Sequence, residues 1–167
     1  EVVNFLDATA DNAPDIITYT GAIGNGTVVG TVNVGSSTQA GSVTVSGVLK
    51  CTTCNVIAGD HADEDSLLAQ AGVVTATTVN ITASATADAT MTNAAATYVV
   101  TTTILDDGAA GNATITFTAN SATASIFKGA SDGEGTLVLN DATDITLTGL
   151  IGDTGAKSLK AINIGTV

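Results

Sequence analysis

Apolar and polar residues alternate with a period of two through much of the chain. Val32-Asn33-Val34, Ser42-Val43-Thr44-Val45-Ser46, Thr78-Val79-Asn80-Ile81-Thr82, Thr114-Ile115-Thr116-Phe117-Thr118 and Ile145-Thr146-Leu147-Thr148 follow this pattern, and Thr136-Leu137-Val138-Leu139 follows it imperfectly. β-branched residues at that spacing fit a pleated, half-buried surface. Gly24-Asn25-Gly26, Asp106-Asp107-Gly108, Asp132-Gly133-Glu134-Gly135 and Asn140-Asp141 fall between these segments and read as turns. Strands recurring about every ten residues predict an all-β chain. One segment departs from the pattern. Asp63-Glu64-Asp65-Ser66 precedes Leu67-Leu68-Ala69-Gln70-Ala71-Gly72, so acids in a first turn lead into helix formers and a glycine stop, and a short helix is expected over 64–71. The Ala-rich stretch 83–96 reads as extended chain or loop.

The turns are made by Gly, Asn and Asp, the chain has one Pro, and aromatics are 3% of residues. Small residues and such turns suit stacked coils, so a β-solenoid of the parallel β-helix type is favoured. An immunoglobulin-like β-sandwich is the alternative; the absence of Trp removes the usual anchor of its core. With 44% hydrophobic residues the chain is too apolar for an acidic disordered tail. Its net charge is −12, with four Lys and no Arg. Four cations cannot build the basic face that phosphates require, so nucleic acid is not an expected partner. Nor is membrane insertion, since no apolar run approaches the roughly 18 residues of a spanning helix.

An internal match spans a long interval. Ile17-Thr18-Tyr19-Thr20-Gly21-Ala22-Ile23-Gly24 parallels Ile145-Thr146-Leu147-Thr148-Gly149-Leu150-Ile151-Gly152, and Val32-Asn33-Val34-Gly35 parallels Ile162-Asn163-Ile164-Gly165. Residues 1–144 are therefore expected to form one β-rich module of about 130 residues with an N-terminal extension, and 145–167 to begin a second copy matching 17–35. The only Met is Met91 and the first residue is Glu1, which suggests a processed chain or a segment of a longer one.

The phrase Leu147-Thr148-Gly149-Leu150-Ile151-Gly152, followed by Ser158-Leu159-Lys160-Ala161-Ile162-Asn163-Ile164-Gly165, resembles a recurring phrase in the passenger regions of rickettsial-type autotransporter surface antigens. Val74-Thr75-Ala76-Thr77-Thr78-Val79-Asn80-Ile81-Thr82 is similar to filamentous-haemagglutinin-like adhesins. The resemblance implies an extracellular, cell-surface, β-rich repeat with a structural or adhesive role. A self-assembling subunit of an extracellular filament, pilus-like fibre or surface layer is the alternative. In both, the expected partners are adjacent repeats or other copies, and the surfaces that meet would carry Ile17, Tyr19, Ile145, Leu147, Ile162 and Ile164, because an unpaired strand edge is a template for another strand.

Candidate chemistry is sparse. Cys51-Thr52-Thr53-Cys54 reads as two thiols either side of a Thr-Thr turn, so an exported chain would be expected to hold a local disulfide between Cys51 and Cys54; free thiols or metal ligands are the other readings. Asp60, Asp63, Glu64 and Asp65 place hard oxygen donors close together, a density that can hold calcium; a solvated acidic turn explains them equally. No other cofactor is expected. His61 is the single histidine, and a nucleophile–base pair would have to join it to one of the two cysteines. Carbohydrate hydrolysis lacks the aromatic platforms it usually uses. No phosphate-binding glycine loop occurs, and the chain is expected not to be an enzyme. Asn25-Gly26-Thr27, Asn80-Ile81-Thr82 and Asn112-Ala113-Thr114 are glycosylation sequons, in keeping with a surface location.

Overall fold

A computed structural model describes residues 1–7, 15–119, 122–141, 144–153, 155 and 157–165. The described residues contain fifteen strands and no helix: β1 Val2–Phe5, β2 Ile16–Tyr19, β3 Val29–Val34, β4 Ser42–Val45, β5 Leu49–Ile57, β6 Ser66–Gln70, β7 Val74–Thr82, β8 Ala89–Asn93, β9 Tyr98–Asp106, β10 Ala113–Phe117, β11 Ala122–Thr123, β12 Ile126–Gly129, β13 Thr136–Leu139, β14 Thr146–Leu147 and β15 Ala161–Ile164. Strands that follow one another in sequence alternate between sheets. β1, β3, β5, β7, β9 and β12 form one sheet; β2, β4, β6, β8, β10, β13 and β15 form a second; β11 and β14 form a small third. Every pairing between these strands is parallel. The chain is thus a β-solenoid of about six turns, the favoured of the two expected architectures.

The structural repeat is one coil. Val2 pairs with Thr31, Thr31 with Thr53, Thr53 with Thr78 and Thr78 with Thr102, so a turn takes 22 to 29 residues. The residues matched at long interval do not occupy equivalent places in it. Tyr19 lies in the second sheet and its match Leu147 in the third, while Val32 lies in the first and its match Ile162 in the second. Followed rung by rung through Val43, Leu68, Met91, Ile115 and Leu137, Ile17 shares a column with Ile162. β14 and β15 continue the same stack, on β11 and β13 respectively.

Inward columns of this kind make the core. Val43, Leu68, Met91, Ile115 and Leu137 are all buried, as are Val34, Val56, Ile81 and Leu105 in the first sheet. Each buried side chain of this size stabilises the fold by about 1.5–3 kcal/mol.

The helix expected over 64–71 is instead strand β6. Its burial alternates, with Ser66, Leu68 and Gln70 inward. Ser42 and Thr90 pair with Leu67 from the coils on either side. A parallel ladder on both edges satisfies the backbone and buries Leu68 between Val43 and Met91; the helix propensity of Leu, Ala and Gln is weak beside that. In the Ala-rich stretch 83–96, Ala89–Asn93 is strand β8 and the flanks are turns and loop.

Long strands β5, β7 and β9 each kink once. In β5 the side chains of Leu49, Cys51, Cys54 and Val56 are buried, with two consecutive less buried residues, Thr52 and Thr53, between them. Thr77-Thr78 and Thr101-Thr102 repeat this in β7 and β9. Two outward residues in succession reverse the phase of the alternation, so positions three apart face the same way, whereas a regular strand would send them to opposite faces.

Corners between the second and first sheets are tight. A Cβ on Gly72 would lie 2.1 Å from the carbonyl oxygen of Gly47, and one on Gly47 would lie 2.2 Å from that of Gly21. Both neighbours are backbone, so these corners need glycine's missing side chain rather than an unusual φ.

Candidate functional site: the open ends, an asparagine ladder and a threonine-lined groove

The columns that form the core emerge at both ends of the described stack. Ile17 and Tyr19, on β2, are 36% and 38% exposed; Ile162 and Ile164, on β15, are 44% and 81% exposed. Ile164 shares its column with Tyr19 through Val45, Gln70, Asn93, Phe117 and Leu139. Four of the six residues expected to carry assembly therefore stand in two shared columns, at opposite ends of the described stack. The other two, Ile145 and Leu147, are partly buried against the core. At the first coil Phe5 and Tyr19 approach with ring centroids 6.3 Å apart, and Ile16 beside them is 72% exposed. Leu150 and Ile151 add to the apolar surface of the last coil.

An asparagine ladder runs along the outer face of the first sheet. The Asn33 side-chain amide donates to Asn4 at 2.7 Å, Asn55 to Asn33 at 2.7 Å and Asn80 to Asn55 at 2.8 Å. The four residues occupy one column, which passes to Ile104 in the next coil. The sequence carries the signal for it: an apolar residue flanks Asn on each side in Val3-Asn4-Phe5, Val32-Asn33-Val34, Cys54-Asn55-Val56 and Val79-Asn80-Ile81. That recurrence marks the coil, and reading for longer repeats misses it.

Both cysteines are free thiols and no disulfide joins them, which corrects the expected Cys51–Cys54 bridge. Thr52-Thr53 is the kink of β5 and not a loop, so the thiols sit on one strand and both turn into the core. The neighbouring Cys54 lowers the Cys51 thiol below its usual range, while Cys51 and full burial push the Cys54 thiol well up. A second buried polar chain lies close by. Tyr98 Oη is 2.9 Å from Thr103 Oγ1, which is 3.0 Å from Ser125 Oγ, and burial drives the Tyr98 phenol far above its ordinary range.

An open groove of about 800 Å³ runs past this region, its walls including Lys50, Cys51, Thr52, Thr77, Val99 and Thr101. Its charged lining residue is Lys50. Lys128 and Lys160 are committed elsewhere, to Asp153 at 2.9 Å and to Asp107 at 3.2 Å.

The four residues read as calcium donors are spread around the turn between β5 and β6. Glu64 is buried and accepts from the His61 backbone N–H at 3.2 Å; Asp65 accepts from the Asp88 N–H at 2.7 Å. Asp88 in turn accepts from the Asn112 N–H at 2.7 Å, so carboxylates tie one turn to the next. Glu134 repeats the Glu64 arrangement, accepting from Ser131 at 2.7 Å. Among the described residues, no three His, Cys, Asp or Glu side chains converge as a metal site. His61 is exposed in the same turn, 3.9 Å from the Asp60 carboxylate.

Asp106 ends β9 beside Asp107 and Glu134, and partial burial followed by those two charges raises its carboxyl above the usual range. A raised native pKa means that the folded chain holds this proton more tightly than the unfolded one. Its contribution is fully present below the unfolded carboxylate pKa and is lost as pH rises through the native value. Asp106→Asn is therefore expected to melt higher than the wild type at pH 7, with the gap closing as pH falls through the carboxylate range. Melting curves across pH check this; a gap that ignores pH would rule the repulsion out.

Comparison with protein-family models, with curated proteins and with solved structures returns no match. Among the described residues no helix is long and apolar enough to cross a membrane.

Proposed function

We propose that this chain is a non-enzymatic structural and adhesive element of an extracellular bacterial surface protein, extended by stacking at its ends on adjacent repeats of that protein or on other copies. The observation that carries the reading is the emergence of the same apolar columns at both ends, as Ile17 and Tyr19 on one and Ile162 and Ile164 on the other. β15 of one unit set against β2 of the next would continue the second sheet in register, with Ile162 over Ile17 and Ile164 over Tyr19. Such a contact is heterologous, and translation along an axis does not close it into a ring. That property favours the second reading, a subunit of an extracellular filament, when the partner is another copy.

Light scattering and sedimentation over a range of concentrations test the stacking. The wild-type chain is expected to form head-to-tail oligomers. Ile17→Asp and Ile164→Asp each block one end, so each alone should remain monomeric, whereas their mixture should form dimers and nothing larger. A wild-type chain that stays monomeric at high concentration, or variants that still form long oligomers, would overturn the stacking. Antibody labelling of intact source cells tests the surface location.

A further inference from the structure

Independently of that reading, we propose that Cys51 and Cys54 form a two-coordinate site for a soft, thiophilic d10 cation of the Cu(I) class. Three observations converge on it. The kink at Thr52-Thr53 turns both thiols to the inner side of one strand, where they are buried. Thr52 and Thr53 turn outward at the kink, so two inward thiols three residues apart flank its inner side and are placed to share one ion. Cys51 also forms part of the groove wall, so the pair has an opening to solvent although Cys54 itself is wholly enclosed.

The surroundings select the class of ion. Among the described residues no third His, Cys, Asp or Glu joins the pair, so the four ligands of a structural zinc site and the six or more oxygens of a calcium site are missing. Thiolate sulfur is a soft donor and prefers soft ions such as Cu(I). Cys54 stacks between Val32 and Val79, and the Tyr98 hydroxyl is engaged with Thr103. The shell around the sulfurs is apolar and offers few hard donors. Lys50 shares the groove with Cys51, placing a positive charge on the side where a bis-thiolate complex, with a net charge of −1 for a monovalent ion, opens to water.

Binding replaces two S–H bonds by two S–metal bonds and releases two protons to solvent; supplied as Cu(I), the ion changes no oxidation state.

The test uses the full chain, reduced and kept free of oxygen, in competition with a chromophoric bicinchoninate–Cu(I) complex. The folded wild type is expected to withdraw one Cu(I) per chain and to gain sulfur-to-copper charge-transfer absorption in the near ultraviolet. Cys51→Ser and Cys54→Ser should each lose this uptake, and the double variant should behave like either single one. His61→Ala should leave it unchanged. If a serine variant fails to fold by circular dichroism, Cys51→Ala and Cys54→Val take its place. Bound Cu(I) should also protect both wild-type thiols from alkylation. No withdrawal of copper by the folded wild type would overturn the site. So would uptake retained by a single-cysteine variant, or half an ion per chain with dimer formation.

Discussion

Phe117→Ala is expected to lower the free energy of unfolding by about 3–5 kcal/mol, the cost of truncating a large aromatic in a close-packed core. Phe117 is fully buried on β10. Its ring meets Tyr98 edge-on, with centroids 5.2 Å apart at 88°, and Phe127 at 5.8 Å and 86°. Tyr98 and Phe127 lie nearly parallel, 6.3 Å apart at 16°. The chain has only five aromatic residues, and this trio joins β9, β10 and β12 across both main sheets. In its own column Phe117 stands between Asn93 and Leu139. An alanine there would leave a cavity that no neighbouring large side chain in the column can fill. Because each coil leans on its neighbours, loss at one rung separates the array into blocks that unfold unequally. Denaturant titration should show the loss, and hydrogen exchange should show β12, β13 and β15 losing protection before β5 and β7. A loss below about 1 kcal/mol would mean that the trio is not the joint between the two ends of the core.

Gly72→Ala is expected to be comparably damaging by the opposite mechanism. Its Cβ would meet the Gly47 carbonyl oxygen at 2.1 Å, its carbon at 2.4 Å and the Ser46 carbonyl oxygen at 3.0 Å. All three are backbone atoms, so relief requires two coils to part at the corner. Two kinds of bond stretch when they do. Gln70 donates to the carbonyls of Gly47 and Gly72 at 2.8 and 2.9 Å, and Leu49 N–H donates to Val73 at 2.9 Å. Overpacking of a side chain costs about 1–3 kcal/mol and more where backbone must move; with the lost bonds, a fall of at least about 3 kcal/mol is expected. Thermal unfolding of Gly72→Ala beside Gly26→Ala is the comparison, since a Cβ on Gly26 meets nothing within 4 Å. Equal melting temperatures would show that the corner can open freely.

Much of the architecture is legible in the sequence because it is local. The alternation at Val43-Thr44-Val45 and Ile115-Thr116-Phe117 predicts strands, and turns without proline point to coils. What escapes is whatever depends on a neighbouring coil. Ser66–Gln70 carries a helical composition, and only Val43 below and Met91 above make it a strand. Cys51-Thr52-Thr53-Cys54 reads as a turn because Thr52-Thr53 breaks the alternation, yet in a solenoid that break is a kink inside one strand. Both cysteines thereby turn into the core as free thiols. The coil length varies from rung to rung, so no fixed period stands out, and the long match between 17–35 and 145–165 draws attention away from the shorter apolar-Asn-apolar recurrence. The exposed columns at the ends lie on residues singled out in advance; their register with one another is visible only in the folded chain.

The parallel stack also sets how the molecule answers a pull. Glu1 lies beside β1 in the first coil and Gly165 beside β15 in the last, so tension between them acts along the axis and falls on the terminal rungs first. Each rung that peels away exposes the next to the same load. One coil of 22 to 29 residues can lengthen to at most about 3.3–3.6 Å per residue, against the ~4.8 Å that it occupies while stacked. A tether of this build would give way coil by coil, in steps whose length follows the 22 to 29 residues of each coil, dissipating a tug through successive yields instead of a single rupture.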